Sequence, residues 1–144
     1  MQASNAAVEL IKQFEGFVSK SYLDLVGIPT IGFGHRVLKG ETFPPNGITE
    51  DEATTLLQSD LKIVDDALTR LITVEISQNQ YDAVADFCFN LGQGRLASST
   101  LLRDINNSDF DLAAGEFEKW CFAGGVKNAG LARRRAAEEA LFVS

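Results

Sequence analysis

Residues that build metal centres and disulfide frameworks are scarce in this sequence. Among 144 residues there is one histidine, His35, and there are two cysteines, Cys88 and Cys121. A structural zinc site needs four ligands, so we expect neither a metal nor another cofactor. The two cysteines stand in the apolar strings DFCFN and KWCFA. This setting predicts two small core side chains rather than a disulfide.

Long apolar runs and an excess of positive charge are also absent. No stretch approaches the roughly 18 apolar residues that cross a bilayer, and MQASNAAVELIKQFEG lacks the pattern of a signal peptide. We therefore expect a protein made in the cytoplasm without a membrane anchor. Thirteen Lys and Arg against twenty Asp and Glu give a formal charge of -7, which argues against nucleic acid as a partner.

The composition that remains, 45% apolar and 23% charged, is typical of one soluble globular domain. Apolar residues at helical spacing after the N-cap residue Ser4 predict a helix over residues 4–15, which Gly16 ends. Glycines and prolines then alternate with β-forming residues between Phe17 and Gly47. This alternation predicts a small antiparallel sheet of short strands.

A long amphipathic helix is predicted next, over residues 50–72. Thr49 and Glu52 match a capping box at its start, and apolar residues then recur at intervals of three and four. Its length is sufficient to bridge two lobes. Four acids are expected on its exposed face: Asp51, Asp60, Asp65 and Asp66.

The rest of the chain reads as helical. Ser77 and Gln80 form a second capping-box pattern before an almost entirely apolar core helix that Gly92 ends. Three further helices are predicted: residues 99–105, residues 109–120 after the cap Ser108, and residues 131–142 after Gly130.

These elements predict an α+β fold with a small N-terminal sheet lobe at about residues 16–48 and a bridging helix at about residues 50–72. A larger helical lobe takes in about residues 73–144 together with the N-terminal helix at about residues 4–15. We expect a monomeric single domain with its active site in the cleft between the lobes.

Two acids stand in surroundings that favour different protonation states. Glu15 ends the first helix between Phe14 and Phe17, where the helix dipole and apolar neighbours favour the protonated acid. Asp24 lies in a turn-like string, where polar backbone and water favour the carboxylate. This pairing suits glycoside hydrolysis, although the physical pattern by itself favours a helix-end surface acid and a turn-capping aspartate.

The arrangement around these acids resembles a known family. Glu15 is followed after eight residues by Asp24, after five more by Thr30, and then by IGFGH. This pattern is similar to that of the phage-type lysozymes, the muramidase endolysins of glycoside hydrolase family 24. The segments SQNQYDAVADFCFNLGQG and EFEKWCFAGGVKNAGLARRRAAEEALF resemble that family's core helix and closing segment, so the resemblance covers nearly the whole chain.

The resemblance implies a lysozyme-like fold and hydrolysis, with inversion, of the β-1,4 bond that follows N-acetylmuramic acid in peptidoglycan. Glu15 is then the general acid, and Asp24 and Thr30 position and activate water. The partner is the peptidoglycan glycan strand, and the enzyme acts on the cell wall after its release from the cytoplasm. A lytic transglycosylase and a catalytically silent peptidoglycan-binding domain are the alternatives.

The resemblance also implies three substrate-binding residues: Phe89, Asn90 and Arg133. A solvated helix face is expected for the other two residues of the arginine run, Arg134 and Arg135. We further expect His35 to make a structural hydrogen bond between the lobes, and Gly32 and Gly34 to allow close packing and leave room for a sugar.

Overall fold

The computed structural model describes residues 1–144 and shows an α+β architecture with seven α-helices and two small antiparallel sheets. In chain order the elements are α1 (Asn5–Glu15), β1 (Val18–Leu23), β2 (Pro29–Gly32), β3 (His35–Arg36), α2 (Glu50–Leu71), α3 (Gln78–Leu91), α4 (Gln93–Ala97), α5 (Thr100–Asn106), α6 (Phe110–Glu116), β4 (Phe122–Ala123), β5 (Val126–Lys127) and α7 (Ala129–Val143). The predicted fold class is therefore confirmed.

The chain forms two compact units. The first, called here the sheet unit, is Val8–Ile63, and the second, called the helical unit, consists of Met1–Ala7 and Val64–Ser144. Helices α1 and α2 each contribute residues to both units. No helix combines the length and the apolar character needed to span a bilayer.

The sheet unit contains the predicted small antiparallel sheet, with strand order β1-β2-β3. Thr30 on the central strand β2 lies opposite Tyr22 on one side and Arg36 on the other. The register shifts between Val18 and Tyr22, as in a β-bulge. Ile31 and Phe33 from this region are buried in the core of the unit.

His35 is buried in the sheet unit between two carboxylates. Its Nδ1 lies 2.8 Å from Asp60 Oδ2, and its Nε2 lies 2.8 Å from Glu41 Oε1. Both partners belong to the same unit as His35. The predicted structural hydrogen bond is thus present, but the expectation that it joins two lobes is wrong, because it ties β3 to α2 and to the loop that follows β3.

Side-chain caps begin the first three helices as the sequence predicts. Ser4 Oγ accepts a hydrogen bond from the main chain two residues later, and Thr49 and Glu52 bond reciprocally at 3.0 and 3.1 Å. Ser77 and Gln80 form the second capping box. These caps satisfy backbone N–H groups that have no partner inside the helix.

Two of the four acids expected on the exposed face of α2 have structural roles instead. Asp60 bonds His35, and Asp65 accepts hydrogen bonds from the Ala3 N–H and the Tyr81 hydroxyl, each at 2.8 Å. Asp51 and Asp66 are exposed as expected. Helical periodicity gives the direction of a side chain but does not show which distant groups arrive beside it.

The core of the helical unit forms around α3, in which every residue from Tyr81 to Cys88 is buried. The Phe87 ring makes edge contacts with Phe117 and Trp120 at centroid distances of 5.9 and 5.5 Å. Cys88 and Cys121 are free and buried, which confirms their prediction as core side chains. Burial raises the pKa of the Cys88 thiol to about 11.

Two local predictions in this unit are wrong, and one hairpin was missed. Ser108 does not cap α6: it adopts a positive φ of 61°, and Asp109 occupies the N-cap position without a side-chain bond. Helix α7 begins before Gly130, because the Asn128 side chain accepts from Leu131 N–H and caps the helix two residues earlier. The β4–β5 hairpin was not predicted, although Gly124-Gly125 is a recognised two-residue hairpin turn.

The expected solvated face for Arg134 and Arg135 is also wrong, because both side chains are buried. Arg134 donates through Nε and Nη2 to the two carboxylate oxygens of Asp86, each at 2.9 Å. Arg135 donates through Nη2 to Glu138 Oε1 at 2.7 Å. All four residues are at most 4% exposed. The Arg134–Asp86 ion pair anchors α7 to α3, whereas Arg135 and Glu138 pair within α7.

The His35 contacts predict a specific dependence of stability on pH. Burial opposes protonation of His35, but the hydrogen bonds to Glu41 and Asp60 outweigh it and raise the pKa of His35 above its ordinary value of 6.5. A raised pKa in the folded state stabilises the protein below the unfolded value, and this contribution is lost as pH rises through the folded value. Neutral imidazole has one N–H donor and cannot donate to both carboxylates.

We therefore expect the difference in melting temperature between the wild type and His35→Gln to be largest near pH 6 and to shrink toward about pH 9. Thermal unfolding by circular dichroism across this range measures the difference. A difference that stays constant with pH would show that the charge on His35 does not contribute to stability.

Candidate active site

Glu15 is the last residue of α1 and is partly exposed, and its carboxyl group lies against Gly34. A Cβ atom at Gly34 would stand 2.9 Å from both Cδ and Oε1 of Glu15, and Gly34 has a φ of +72°. The lack of space for a Cβ atom and the positive φ therefore both require glycine at this position. The expectation that this glycine leaves room for a sugar is wrong, because the Glu15 carboxyl group occupies the space.

Aromatic side chains surround the end of α1. The Phe17 and Phe33 rings lie 5.7 Å apart, and Lys12 Nζ lies 5.2 Å from the centre of the Phe33 ring. Phe33 is buried whereas Phe17 is 39% exposed. The Phe33 ring thus packs beside α1 through its contact with Lys12, a residue of that helix.

Asp24 lies in the turn between β1 and β2, and one of its carboxylate oxygens holds that turn. Asp24 Oδ1 accepts hydrogen bonds from the N–H groups of Val26 and Ile28 at 2.9 and 2.8 Å. The Asp24 N–H in turn donates to the Ile28 carbonyl at 2.9 Å. Because Oδ1 is used in this way, Oδ2 is the carboxylate oxygen left for a substrate or a water molecule.

Thr30 stands two residues beyond Ile28 and is only 4% exposed. Its hydroxyl donates to the Ile28 carbonyl oxygen at 2.9 Å. A hydroxyl group has one proton and two lone pairs, so Thr30 Oγ1 can act only as an acceptor toward a water molecule. The Ile28 main chain therefore contacts both the Asp24 and the Thr30 side chains.

Tyr22 connects the three catalytic residues predicted from the sequence, although sequence reasoning did not identify it. It lies opposite Thr30 in the sheet. Burial, followed by the negative charges of Glu15 and Asp24, raises the pKa of the Tyr22 hydroxyl above its ordinary value of 10.0. Both carboxylates thus act on the Tyr22 hydroxyl, and Thr30 is paired with Tyr22 in the sheet. Glu15, Asp24 and Thr30 therefore lie in the same part of the sheet unit.

The three residues predicted to bind substrate lie in the helical unit. Phe89 and Asn90 are half-buried near the end of α3, and Arg133 is exposed on α7. Asn90 Oδ1 accepts a hydrogen bond from Arg135 Nη2 at 2.8 Å.

The buried charges around Asn90 were also missed from the sequence. Burial, together with a hydrogen bond to Asp86, raises the pKa of Glu138 well above its ordinary value of 4.5. Burial likewise lowers the pKa of Arg135 below its ordinary value. Asp86 among the apolar residues of the core helix, together with a run of three arginines, was the available signal that these charges pair in the interior.

Known proteins are similar to this chain along its whole length. The family model for phage lysozyme matches residues 12–138. The endolysin of Salmonella phage P22 is 40% identical over 146 residues, with 100% of this chain and 99% of that protein covered. The endolysin of Bacillus phage B103 is 39% identical over 149 residues and covers all of this chain, which spans 55% of the length of that relative.

Solved structures agree with the sequence comparison. The crystal structure of a point mutant of P22 lysozyme superposes with a TM-score of 0.88 at 40% identity and covers 100% of this chain and 99% of the other. The muramidase domain of SpmX from Asticaccaulis excentricus gives a TM-score of 0.90 at 34% identity, with 99% and 98% coverage. With this sequence match and the Glu15, Asp24 and Thr30 neighbourhood, the chain belongs to the phage lysozyme family.

Proposed function

We propose that this protein is a muramidase that hydrolyses the β-1,4 bond between N-acetylmuramic acid and N-acetylglucosamine in bacterial peptidoglycan, with inversion at the anomeric carbon. The observation that carries the proposal is the grouping of Glu15, Asp24 and Thr30 around Tyr22 in a phage lysozyme fold. The naming of its relatives as endolysins and as a muramidase domain supports the same activity.

Glu15 is the general acid in this proposal. Glu15 is the last residue of α1, and its carboxyl group packs against the main chain of Gly34. This contact limits the positions that the carboxyl group can take. The acid donates its proton to the glycosidic oxygen as the bond to the leaving sugar breaks.

Asp24 and Thr30 hold the attacking water. The water donates one proton to Asp24 Oδ2 and the other to Thr30 Oγ1. Both atoms act as acceptors toward the water, because the Ile28 N–H already bonds Asp24 Oδ1 and the Ile28 carbonyl already accepts the Thr30 proton. Its lone pair is then directed at the anomeric carbon, and Asp24 accepts the proton that the water loses. A water molecule that attacks the face opposite the leaving group produces inversion.

Phe89, Asn90 and Arg133 contact the glycan strand in this proposal. The protein acts as a monomer on the cell wall.

A lytic transglycosylase would use Glu15 alone and replace water with the muramyl 6-hydroxyl group, and a silent binding domain would not need the water-holding pair. The two acceptors on either side of Ile28 favour hydrolysis over both alternatives.

Glu15→Gln tests the acid assignment. The amide keeps the shape of the side chain but has no acidic proton, so we expect turnover on purified peptidoglycan to fall by about 10²- to 10⁴-fold or more. The melting temperature should stay close to that of the wild type. Turnover is measured as the release of soluble fragments.

Glu9→Gln is the matched control, since Glu9 is exposed on the same helix and should retain wild-type turnover. A Glu15→Gln protein that kept more than about a tenth of wild-type turnover would contradict the assignment.

The net charge of -7 predicts an unusual dependence on salt. Exposed acids on α2, including Asp51 and Asp66, repel the carboxylates of intact cell walls. Raising the salt from 0.01 M to 0.1 M shortens the Debye length from about 30 Å to about 10 Å and screens this repulsion. We expect the initial rate on isolated sacculi to rise over this range before it declines.

A small soluble muropeptide that contains the same glycosidic bond is the control substrate, and its rate should change much less than the rate on sacculi over the same range. A rate on sacculi that fell steadily from the lowest salt concentration would mean that a local basic patch outweighs the net charge.

A further inference from the structure

Three side chains form one row across the three-stranded sheet. Thr30 on the central strand β2 lies opposite Tyr22 of β1 and opposite Arg36 of β3. Directly opposed residues of antiparallel strands project from the same face of a sheet, with Cβ atoms about 4.5–5.5 Å apart. Arg36 is therefore the neighbour of Thr30 on the face from which Thr30 projects, and both residues belong to the sheet unit.

The main chain at Arg36 is fixed on both sides. The preceding residue, His35, is buried and bonded to two carboxylates. The following residue, Val37, donates its N–H to the Pro29 carbonyl at 2.9 Å. The fold thus sets the position of the Arg36 backbone beside Thr30, and only the torsions of the long Arg36 side chain remain free.

The guanidinium group of Arg36 has no partner within the protein. The residue is exposed, and no carboxylate lies within ion-pair distance of it, whereas Arg134 and Arg135 both bond carboxylates. An unpaired guanidinium in a protein with an excess of acidic residues is available to an anion from outside. Its planar fork of N–H donors matches a carboxylate, which it can bind through two parallel hydrogen bonds.

The substrate of the proposed reaction carries a carboxylate close to the reacting atom. Water attacks C1 of N-acetylmuramic acid, and C3 of the same ring bears a lactyl ether. The lactyl group either ends in a carboxylate or continues into the peptide stem, in which the glutamate at the second position has a free carboxylate unless this group is amidated. The anion is therefore attached to the ring whose C1 faces the water held by Asp24 and Thr30.

We propose that Arg36 binds the carboxylate on the lactyl arm of muramic acid and makes the enzyme select the acid form of that arm over the amidated form. This inference rests on the proposed function, which makes muramic acid the reacting ring. Amidation keeps the shape of the group but removes its charge and turns one of its two acceptors into a donor. The amide therefore cannot form the double hydrogen bond with Arg36.

Binding of matched saccharides tests this selectivity without depending on catalysis. The protein carries Glu15→Gln to prevent turnover, and binding is measured by isothermal titration calorimetry. The ligands are tetrasaccharides of alternating N-acetylglucosamine and N-acetylmuramic acid in two pairs. One pair has lactic acid or lactamide on the arm, and the other has lactyl-alanyl-glutamate or lactyl-alanyl-isoglutamine.

We expect the acid form of at least one pair to bind about tenfold more tightly than its amide, the effect of one charge-assisted contact. The pair that shows this preference identifies which carboxylate Arg36 binds.

Arg36→Gln is the decisive substitution. The exposed side chain has no partner in the protein, so the fold and the melting temperature should be retained. We expect the preference for the acid form to disappear, while the affinity for the amide form stays nearly unchanged. Arg95→Gln is the matched control, because Arg95 is exposed on α4 in the helical unit and its replacement removes the same charge. This control should keep the full preference.

Hydrolysis gives a second readout in the protein with Glu15 intact. Arg36→Gln should raise KM about tenfold for peptidoglycan with free carboxylates and leave kcat nearly unchanged, since the lost contact is made equally in the ground state and the transition state. An arginine that only protects the exposed edge strand β3 from pairing would change neither KM nor the binding preference.

Three results would overturn the inference: no preference for the acid form in either pair of saccharides, a preference that survives in Arg36→Gln, or a wild-type KM in the Arg36→Gln enzyme. The proposed function fails separately, if the protein without substitutions releases no fragments from peptidoglycan while the Arg36-dependent binding preference is still observed.

Discussion

The main chain of Ile28 fixes both groups that hold the attacking water in the proposed reaction. Its N–H donates to Asp24 Oδ1, and its carbonyl accepts from the Thr30 hydroxyl. These bonds use the donor of Thr30 and one oxygen of Asp24, so that what each side chain presents outward is an acceptor. The chemistry of the site therefore depends on the conformation of one short turn between β1 and β2.

In the proposed mechanism, the same turn gives Asp24 a structural role and a catalytic role together. Asp24 caps a turn through one oxygen, as many aspartates do, and this role gives the other oxygen a defined position. Glu15 depends on an analogous constraint, because the absence of a side chain at Gly34 determines where its carboxyl group lies. Backbone geometry thus contributes to the position of both acids.

The helical unit is organised by buried charge as well as by apolar contacts. Asp86 and Asp82 are both fully buried in α3, where Asp86 binds Arg134 and Asp82 binds the N-terminal segment through Ser4. Each of these carboxylates has partners that satisfy it, which is the condition for burying a charge. Such pairs specify how α7 and the N-terminus pack on α3, because a shifted helix would leave a charge unpaired.

Local sequence signals were sufficient for most of the fold. The capping boxes at Thr49 and Ser77 and the glycine at position 92 mark helix ends through bonds between residues close in the sequence. The spacing of Glu15, Asp24 and Thr30 could be recognised for the same reason, since it lies within one helix, one hairpin and their connection.

Features that depend on residues distant in the sequence could not be predicted in this way. Arg135 bonds Asn90, which lies 45 residues earlier in the sequence. His35 bonds Asp60, which lies 25 residues later. The residues next to Arg135 and His35 in the sequence do not show which distant group each side chain meets. The hairpin at Gly124-Gly125 is different, because its turn signal was present in the sequence and its strands are only two residues long.

The central claim is that Asp24 and Thr30 direct a water molecule to the anomeric carbon on the face opposite the leaving sugar. Time-resolved proton NMR of soluble, uncrosslinked peptidoglycan during digestion tests this claim directly, because it identifies the anomer of muramic acid before mutarotation. The account predicts that the α-anomer appears first as a new reducing end. Initial formation of the β-anomer, or of a 1,6-anhydro end, would contradict it.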